Sequence, residues 1–446
     1  MNRQLMGRIL AGLLLAYVSL WSQAFAQHLD VGLVTGNEGA LKIAVVPMEY
    51  QGSSAKPDTD VGAVVRADLD RSGQFRSLAE KDIVEHPLRG ADVNFATWRL
   101  LKQDFIVVGR VLDSSDGGYR VEFELYDVAK QQRLIGLAMS GRPQAMRDVA
   151  HQIADQIYEK ILGVRGAFYT RMAYITANGV GRNIKYALMV ADSDGVNPQN
   201  IVHSTEPLLS PAWSPDGRKL AYVSFERGNS SIYVQDVTTG ARDLLASFKG
   251  INGAPAFSPD GKRLALTLSR TGNPEIYVMD LASKQLTQVT KHYSIDTEPA
   301  WLPDGNLVFT SDRGGKPQIY QVSPAGGEPT RLSFQGQYNA RATVSYDGKK
   351  IAMAQGNGNV YRIALLDRSS VGAASSGGSG RWQNLSPGNL DESPSFAPNA
   401  SMVLYAAHEG GRGVLYAVSA DGRVRQRLVL ADGDVREPAW GPYRQR

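Results

Sequence analysis

The sequence predicts a small α/β domain followed by an all-β six-bladed propeller that is closed by a strand from the chain end. Three observations carry this. A four-residue turn motif recurs through the second half at near-constant spacing, and each repeat resolves into four short β-rich runs. The first half lacks that period and shows amphipathic helical patterns between apolar runs.

Residues 1–26 carry Arg3 and Arg8, an apolar run of 12 residues from Ile9 to Leu20, and the small-x-small end Ala24-Phe25-Ala26. That order reads as a secretory signal, with cleavage expected between Ala26 and Gln27. A membrane anchor would need about 20 apolar residues, and no later stretch comes near that length. The mature chain is therefore expected to be soluble outside the cytoplasm, without direct membrane insertion. Residues 27–40 are polar to weakly apolar and punctuated by glycine. They are long enough for one free strand and have no evident core to join.

Residues 41–165 read as the α/β domain. The apolar stretch 41–48 predicts a buried strand, followed by a helix from about Asp58 with Val61, Val64, Val65 and Leu69 on one face and Gly73 beyond its end. Three β-rich runs follow at 105–112, 119–127 and 133–139. The segment 145–162 is amphipathic through Met146, Val149, Ala150, Ile153, Ile157 and Ile161. A mixed sheet packed by helices is implied.

Residues 166–446 read as the propeller. Ser214-Pro215-Asp216-Gly217 recurs as Ser258-Pro259-Asp260-Gly261 and Leu302-Pro303-Asp304-Gly305, then more loosely at Asp347 and Asn399, with spacings of 44, 44, 43 and 52 residues. An apolar or aromatic anchor precedes each turn: Trp213, Phe257, Trp301, Val344 and Phe396, with Trp440 as a sixth. Proline presets φ, aspartate accepts local backbone bonds and glycine takes the positive φ, so a structural turn is favoured over calcium binding. Four strands per period of about 44 residues is a propeller blade. The first unit lacks an inner strand and the chain end supplies a spare one at 437–441, which is expected to pair beside 172–177 and hide two sheet edges. The Ser/Gly/Ala-rich insertion 369–380 accounts for the longest spacing.

Composition removes whole chemistries. With no cysteine there is no disulfide framework, thiolate metal site, cysteine nucleophile or lipidated anchor. Signal cleavage takes two of 48 basic residues and none of 44 acidic ones, leaving a net charge of +2 and no basic run, which argues against nucleic acid. No Gly-x-Ser-x-Gly pentapeptide and no phosphate loop occurs. The six histidines, His28, His86, His151, His203, His292 and His408, stand singly without metal-ligand spacing. Neither a cofactor nor a metal is expected.

The stretch from Leu209 through Ser224, with Gly253 to Gly261 and Thr297 to Trp301, closely resembles the TolB family of the Tol-Pal envelope system. So do Ile43 to Pro47, Val65 to Phe75 and Asp104 to Gly109 in the first half. The resemblance implies a periplasmic, non-enzymatic scaffold, a monomer within a multiprotein complex. It would bind the peptidoglycan-associated lipoprotein Pal on the propeller and inner-membrane TolA through its amino-terminal strand. It also implies a part in outer-membrane integrity and constriction at cell division, and parasitism by some colicins.

Loops leading into the six inner strands are expected to converge on one channel mouth. They comprise Leu208, Leu209 and Ser210; Asn252, Gly253 and Ala254; Thr297 and Glu298; Arg341; Asp391, Glu392 and Ser393; and Arg436 and Glu437. These are the candidate Pal contacts. Gln27, His28, Leu29, Asp30, Val31, Gly32, Leu33 and Val34 are the candidate TolA strand, adding to a partner's sheet edge. A disordered mature terminus is the plain alternative for that segment. Two rival functions stand beside the scaffold. One is a periplasmic glycan lyase or esterase whose acid and base sit at the channel mouth, suggested by Asp391-Glu392 and the nearby Arg436; the other is a sensor with a small ligand in the channel.

Overall fold

The computed structural model describes residues 39–369, 380–430 and 433–445. The signal with its Ala26/Gln27 junction, the strand Gln27 to Val34 and most of the 369–380 insertion lie outside the described residues. No described helix is long and apolar enough to cross a membrane.

The first domain is built on β1 (Leu41–Val45), β2 (Glu49–Tyr50), α1 (Val61–Arg71), β3 (Phe75–Ser77), α2 (Phe95–Leu100), β4 (Phe105–Asp113), β5 (Tyr119–Asp127), β6 (Gln132–Gly141) and α3 (Met146–Leu162). The sheet order is β3-β1-β4-β5-β6, with β1 parallel to β3 and β4 and the remaining pairs of that path antiparallel. Ile43 and Val45 face α1 and α3, together with Val65, Leu69, Ile153 and Ile157. Ala44 and Val46 face the other way, onto Trp98 of α2, Ile83 and Ile106. Cover on both faces explains why this strand reads as a continuous apolar run rather than an alternation.

Helix α1 begins where Asp60 accepts a hydrogen bond from the Ala63 amide at 2.9 Å. Asp60→Ala should lower stability by about 1 kcal/mol, read as a shift in the urea midpoint; an unchanged midpoint would deny the cap a role. Gly73 follows the helix at φ +70°, and a Cβ there would come within 2.3 Å of the Val424 side chain on the propeller. Both constraints demand glycine. The expected helix 145–162 is present as α3 and ends on Gly163 at φ 74°. Helix α2 and strand β3 carry no clear periodicity and are additions to the sequence reading.

The second domain has six four-stranded antiparallel sheets. One joins β7 (Arg171–Asn178), β8 (Lys185–Asp192) and β9 (Gln199–Ser204). The others are consecutive meanders, β10–β13 over 208–246, β14–β17 over 252–288, β18–β21 over 296–331, β22–β25 over 338–384 and β26–β29 over 392–427. Their inner strands are β10 (Leu208–Trp213), β14 (Asn252–Phe257), β18 (Asp296–Trp301), β22 (Tyr338–Val344) and β26 (Glu392–Phe396). The last strand, β30 (Asp434–Trp440), pairs antiparallel with β7, Trp440 opposite Met172, as the offset in the repeat predicts.

The turn motif does structural work. Ser214 Oγ bonds Asp216 Oδ1 at 2.6 Å, and the same carboxylate oxygen accepts from the Arg218 amide at 3.0 Å. Ser258 and Asp260 repeat this, and the Ser258 hydroxyl with the Lys262 amide holds the Asp260 carboxyl below its ordinary range. The anchors stitch neighbouring blades: Trp213 donates its indole N–H to the Ala439 carbonyl at 3.1 Å, and Trp301 donates to Ala256 at 2.9 Å.

Candidate functional site

Each inner strand is broken by a β-bulge whose first residue has positive φ: Ser210 (51°), Ala254 (47°), Glu298 (55°), Arg341 (54°), Ser393 (54°) and Glu437 (50°). A proline follows in five blades (Pro211, Pro255, Pro299, Pro394 and Pro438) and Ala342 in the other. Proline has no N–H to contribute to a ladder, and a bulge is where a strand tolerates that. None of the six positive-φ residues is glycine, so each holds a backbone costing about 1–3 kcal/mol, and such outliers gather at functional surfaces.

These six residues line a central channel of about 430 Å³, which runs on past the prolines to the anchors Trp213, Phe257, Trp301, Val344, Phe396 and Trp440. Arg341 is its electrostatic hub. The guanidinium lies 3.4 Å from Glu298, 3.2 Å from Glu437 and 4.0 Å from Glu392, and donates to Ser393 Oγ at 2.7 Å. Glu298 also accepts from the Arg341 amide at 2.8 Å and from Thr310 at 2.9 Å, while Glu437 accepts from the Ser210 amide. One side chain thus ties four blades together, and Glu437 extends the network to a fifth. Burial opposes the charge of Arg341, but the Glu437, Glu298 and Glu392 carboxylates outweigh it and raise its pKa.

The connections into the inner strands surround this mouth, and their apolar side chains point outward: Ile251, Tyr293, Ile295, Phe334 and Leu390 are 45–86% exposed. The opposite end of the ring carries the α/β domain. There Asn399 donates to the Arg165 carbonyl, and Arg444 donates to Asp148 of α3. The α/β domain therefore packs on the face away from this rim, against the blades built on β26 and β30.

The expected contact residues divide under this geometry. Ser210, Ala254, Glu298 and Arg341 line the channel, inside the strands rather than in loops, because the bulge turns strand residues inward. Leu209, Gly253 and Thr297 immediately precede the bulges. Asn252 is fully buried, and its side chain bonds the Phe248 amide and carbonyl and so shapes its own loop. Asp391 is likewise buried and accepts from the Gly388 amide; burial raises its pKa. Glu392 lies beside Arg341, and Arg436 pairs with Asp434. The acid and base of the enzyme reading therefore do not face one cavity together.

The family model for the TolB beta propeller domain matches residues 158–444, and that for the TolB amino-terminal domain matches 29–134. The chain belongs to the TolB family. Relatives called Tol-Pal system protein TolB, from Xanthomonas campestris pv. campestris (strain B100) and Xanthomonas oryzae pv. oryzae (strain PXO99A), are each 69% identical over 98% of both chains. A crystal structure of TolB from Acinetobacter baumannii is similar at 41% identity with a TM-score of 0.84, covering 93% of this chain and all of that one.

Two features of this TolB-family chain escaped the sequence reading. The apolar rim could have been found as single large apolar residues inside otherwise polar connections. The grouping of His151 with Asp68 and Asp194 left no sequence signal, since the three come from two helices and a distant turn.

Proposed function

We propose that this chain is a periplasmic component of the Tol-Pal system that works by binding. It holds Pal at the channel mouth ringed by the apolar rim and TolA through Gln27 to Val34, and so maintains outer-membrane integrity and constriction during division. The observation that carries this is the mouth: strained inward side chains, a charged hub and an exposed apolar rim on the ring face away from the α/β domain. A protein interface is built in that way, with apolar anchors supplying affinity and fixed charges supplying orientation. The names of the 69% identical relatives support the Tol-Pal assignment. The scattering of Asp391, Glu392 and Arg436 weighs against the lyase or esterase reading.

Calorimetric titration of soluble Pal and of the TolA carboxy-terminal domain against the intact mature chain and a form lacking 27–34 tests both contacts. Pal binding should persist in both forms and TolA binding should vanish with the tail; equal TolA affinity removes the tail from the proposal. At the rim, Phe334→Asp and Tyr293→Asp should each weaken Pal at least about tenfold, or about 1.4 kcal/mol. Unchanged affinity in both variants would move the Pal site elsewhere.

A further inference from the structure

We infer that His151 is a proton-operated latch that fastens the α/β domain to the propeller. The imidazole sits on α3, 1% exposed, where α1 and α3 meet the β8–β9 turn of the propeller. Its Nδ1 is 2.7 Å from Asp68 Oδ2 on α1, and its Nε2 is 3.9 Å from Asp194 Oδ2 in the turn, with no hydrogen-bond partner. A neutral imidazole has one N–H and one lone pair, so either tautomer aims a lone pair at a carboxylate. Only the doubly protonated ring offers an N–H to each side.

The surrounding charges give the same result. Arg71 of α1 lies 3.0 Å from Asp68 and 3.8 Å from Asp194, and donates to Ser193 Oγ at 3.0 Å. Arg147 of α3 bonds Asp194 and lies 3.9 Å from Asp192. With His151 neutral, Asp68, Asp192 and Asp194 face two guanidiniums; with His151 charged, the cluster balances. Asp155 lies one turn further along α3, pushed up to about 6 by burial, and Asp148 cancels against Arg444 through two bonds of 2.7 and 3.0 Å. The Asp68, His151 and Asp194 ligand atoms lie within 4.8 Å of one another, but Arg71 and Arg147 already occupy both carboxylates, so the ligand that fits is a proton.

Burial opposes charge on the ring, yet Asp68 and Asp194 outweigh it and raise the His151 pKa. A raised folded value stabilises the closed interface fully below the unfolded value of about 6.5, and that stabilisation is lost as pH rises through the folded value. Asp155 acts in the same direction, its protonated form favouring closure and losing that effect as pH rises through about 6. Asp194, held down to about 2 chiefly by Arg71 and His151 against its own burial, stays charged throughout.

The test follows the His151 ring by NMR in the intact mature chain from pH 5.5 to 9.5, alongside hydrogen exchange of the amides in 192–197 corrected for intrinsic rates. The ring should titrate above 6.5, with protection of 192–197 falling over the same pH interval. In Asp194→Asn the titration should move down toward 6.5 and the step in protection should disappear; His151→Gln should abolish the step as well. Titration at or below 6.5 in the wild type, or a protection step that persists in Asp194→Asn, overturns the latch. Should a variant fail to fold, coincidence or non-coincidence of the two wild-type curves decides.

Discussion

A chain ending at Gly433 is expected to show no cooperative unfolding transition. Truncation there removes β30, which gives β7 its inner neighbour and places Val435 and Ala439 in the core. It also removes the carbonyl that receives the Trp213 indole, the Trp440 amide bonded to Ser395 and the Arg444 grip on Asp148. The loss thus reaches the blades on both sides of the closure and the α/β domain. Each large apolar side chain newly exposed costs about 1.5–3 kcal/mol, against a total stability of about 5–15 kcal/mol. The bared edge of β7 is eight residues long and invites pairing between chains. Circular dichroism melting and gel filtration read the outcome, and a sharp transition within a few degrees of the intact chain would sink the closure argument.

Arg341→Met should cost about 2–3 kcal/mol. Breaking a buried ion pair from one side typically costs 3–5 kcal/mol; the Arg341 side chain is 27% exposed, so solvent screening trims that figure. The cost arises because Glu298 and Glu437 are left facing each other across the channel without a cation. Adding Glu437→Gln should therefore restore part of the loss, a non-additivity that a double-mutant cycle in urea measures. Arg341→Lys keeps the charge but cannot span Glu298, Glu437 and Ser393 with one ammonium, and should fall between. A stability change below about 0.5 kcal/mol in Arg341→Met would deny the residue its role as hub.

Much of the fold was legible in the sequence because its signals are local and repeated. Turn chemistry at Asp216, Asp260 and Asp304 fixes each hairpin within a few residues, and the offset between the two series of strands fixes how the ring closes. Helices α1 and α3 were legible from one apolar face each. Helix α2 is six residues long, too short for a face to show, and β3 is a three-residue strand made by its neighbours. At the site, position along the strand was legible but inward aim was not, since a bulge is a backbone event that leaves only a following proline as its trace. Asn252 and Asp391 resemble polar loop residues in sequence; only packing reveals that their side chains are consumed internally. The His151 cluster was invisible because electrostatic balance among two helices and a turn has no period.

The six bulges separate scaffold from message. The ring, its turns and its anchors set where six Cβ atoms enter the mouth, and nothing in the backbone dictates what those side chains carry. Here they read Ser210, Ala254, Glu298, Arg341, Ser393 and Glu437, one cation among two anions and three small residues. Exchange at any of them is limited chiefly by tolerance of left-handed φ, which asparagine and glycine meet most easily. The mouth is in effect a six-character word on a fixed line, and partner choice can be rewritten one character at a time without re-solving the fold.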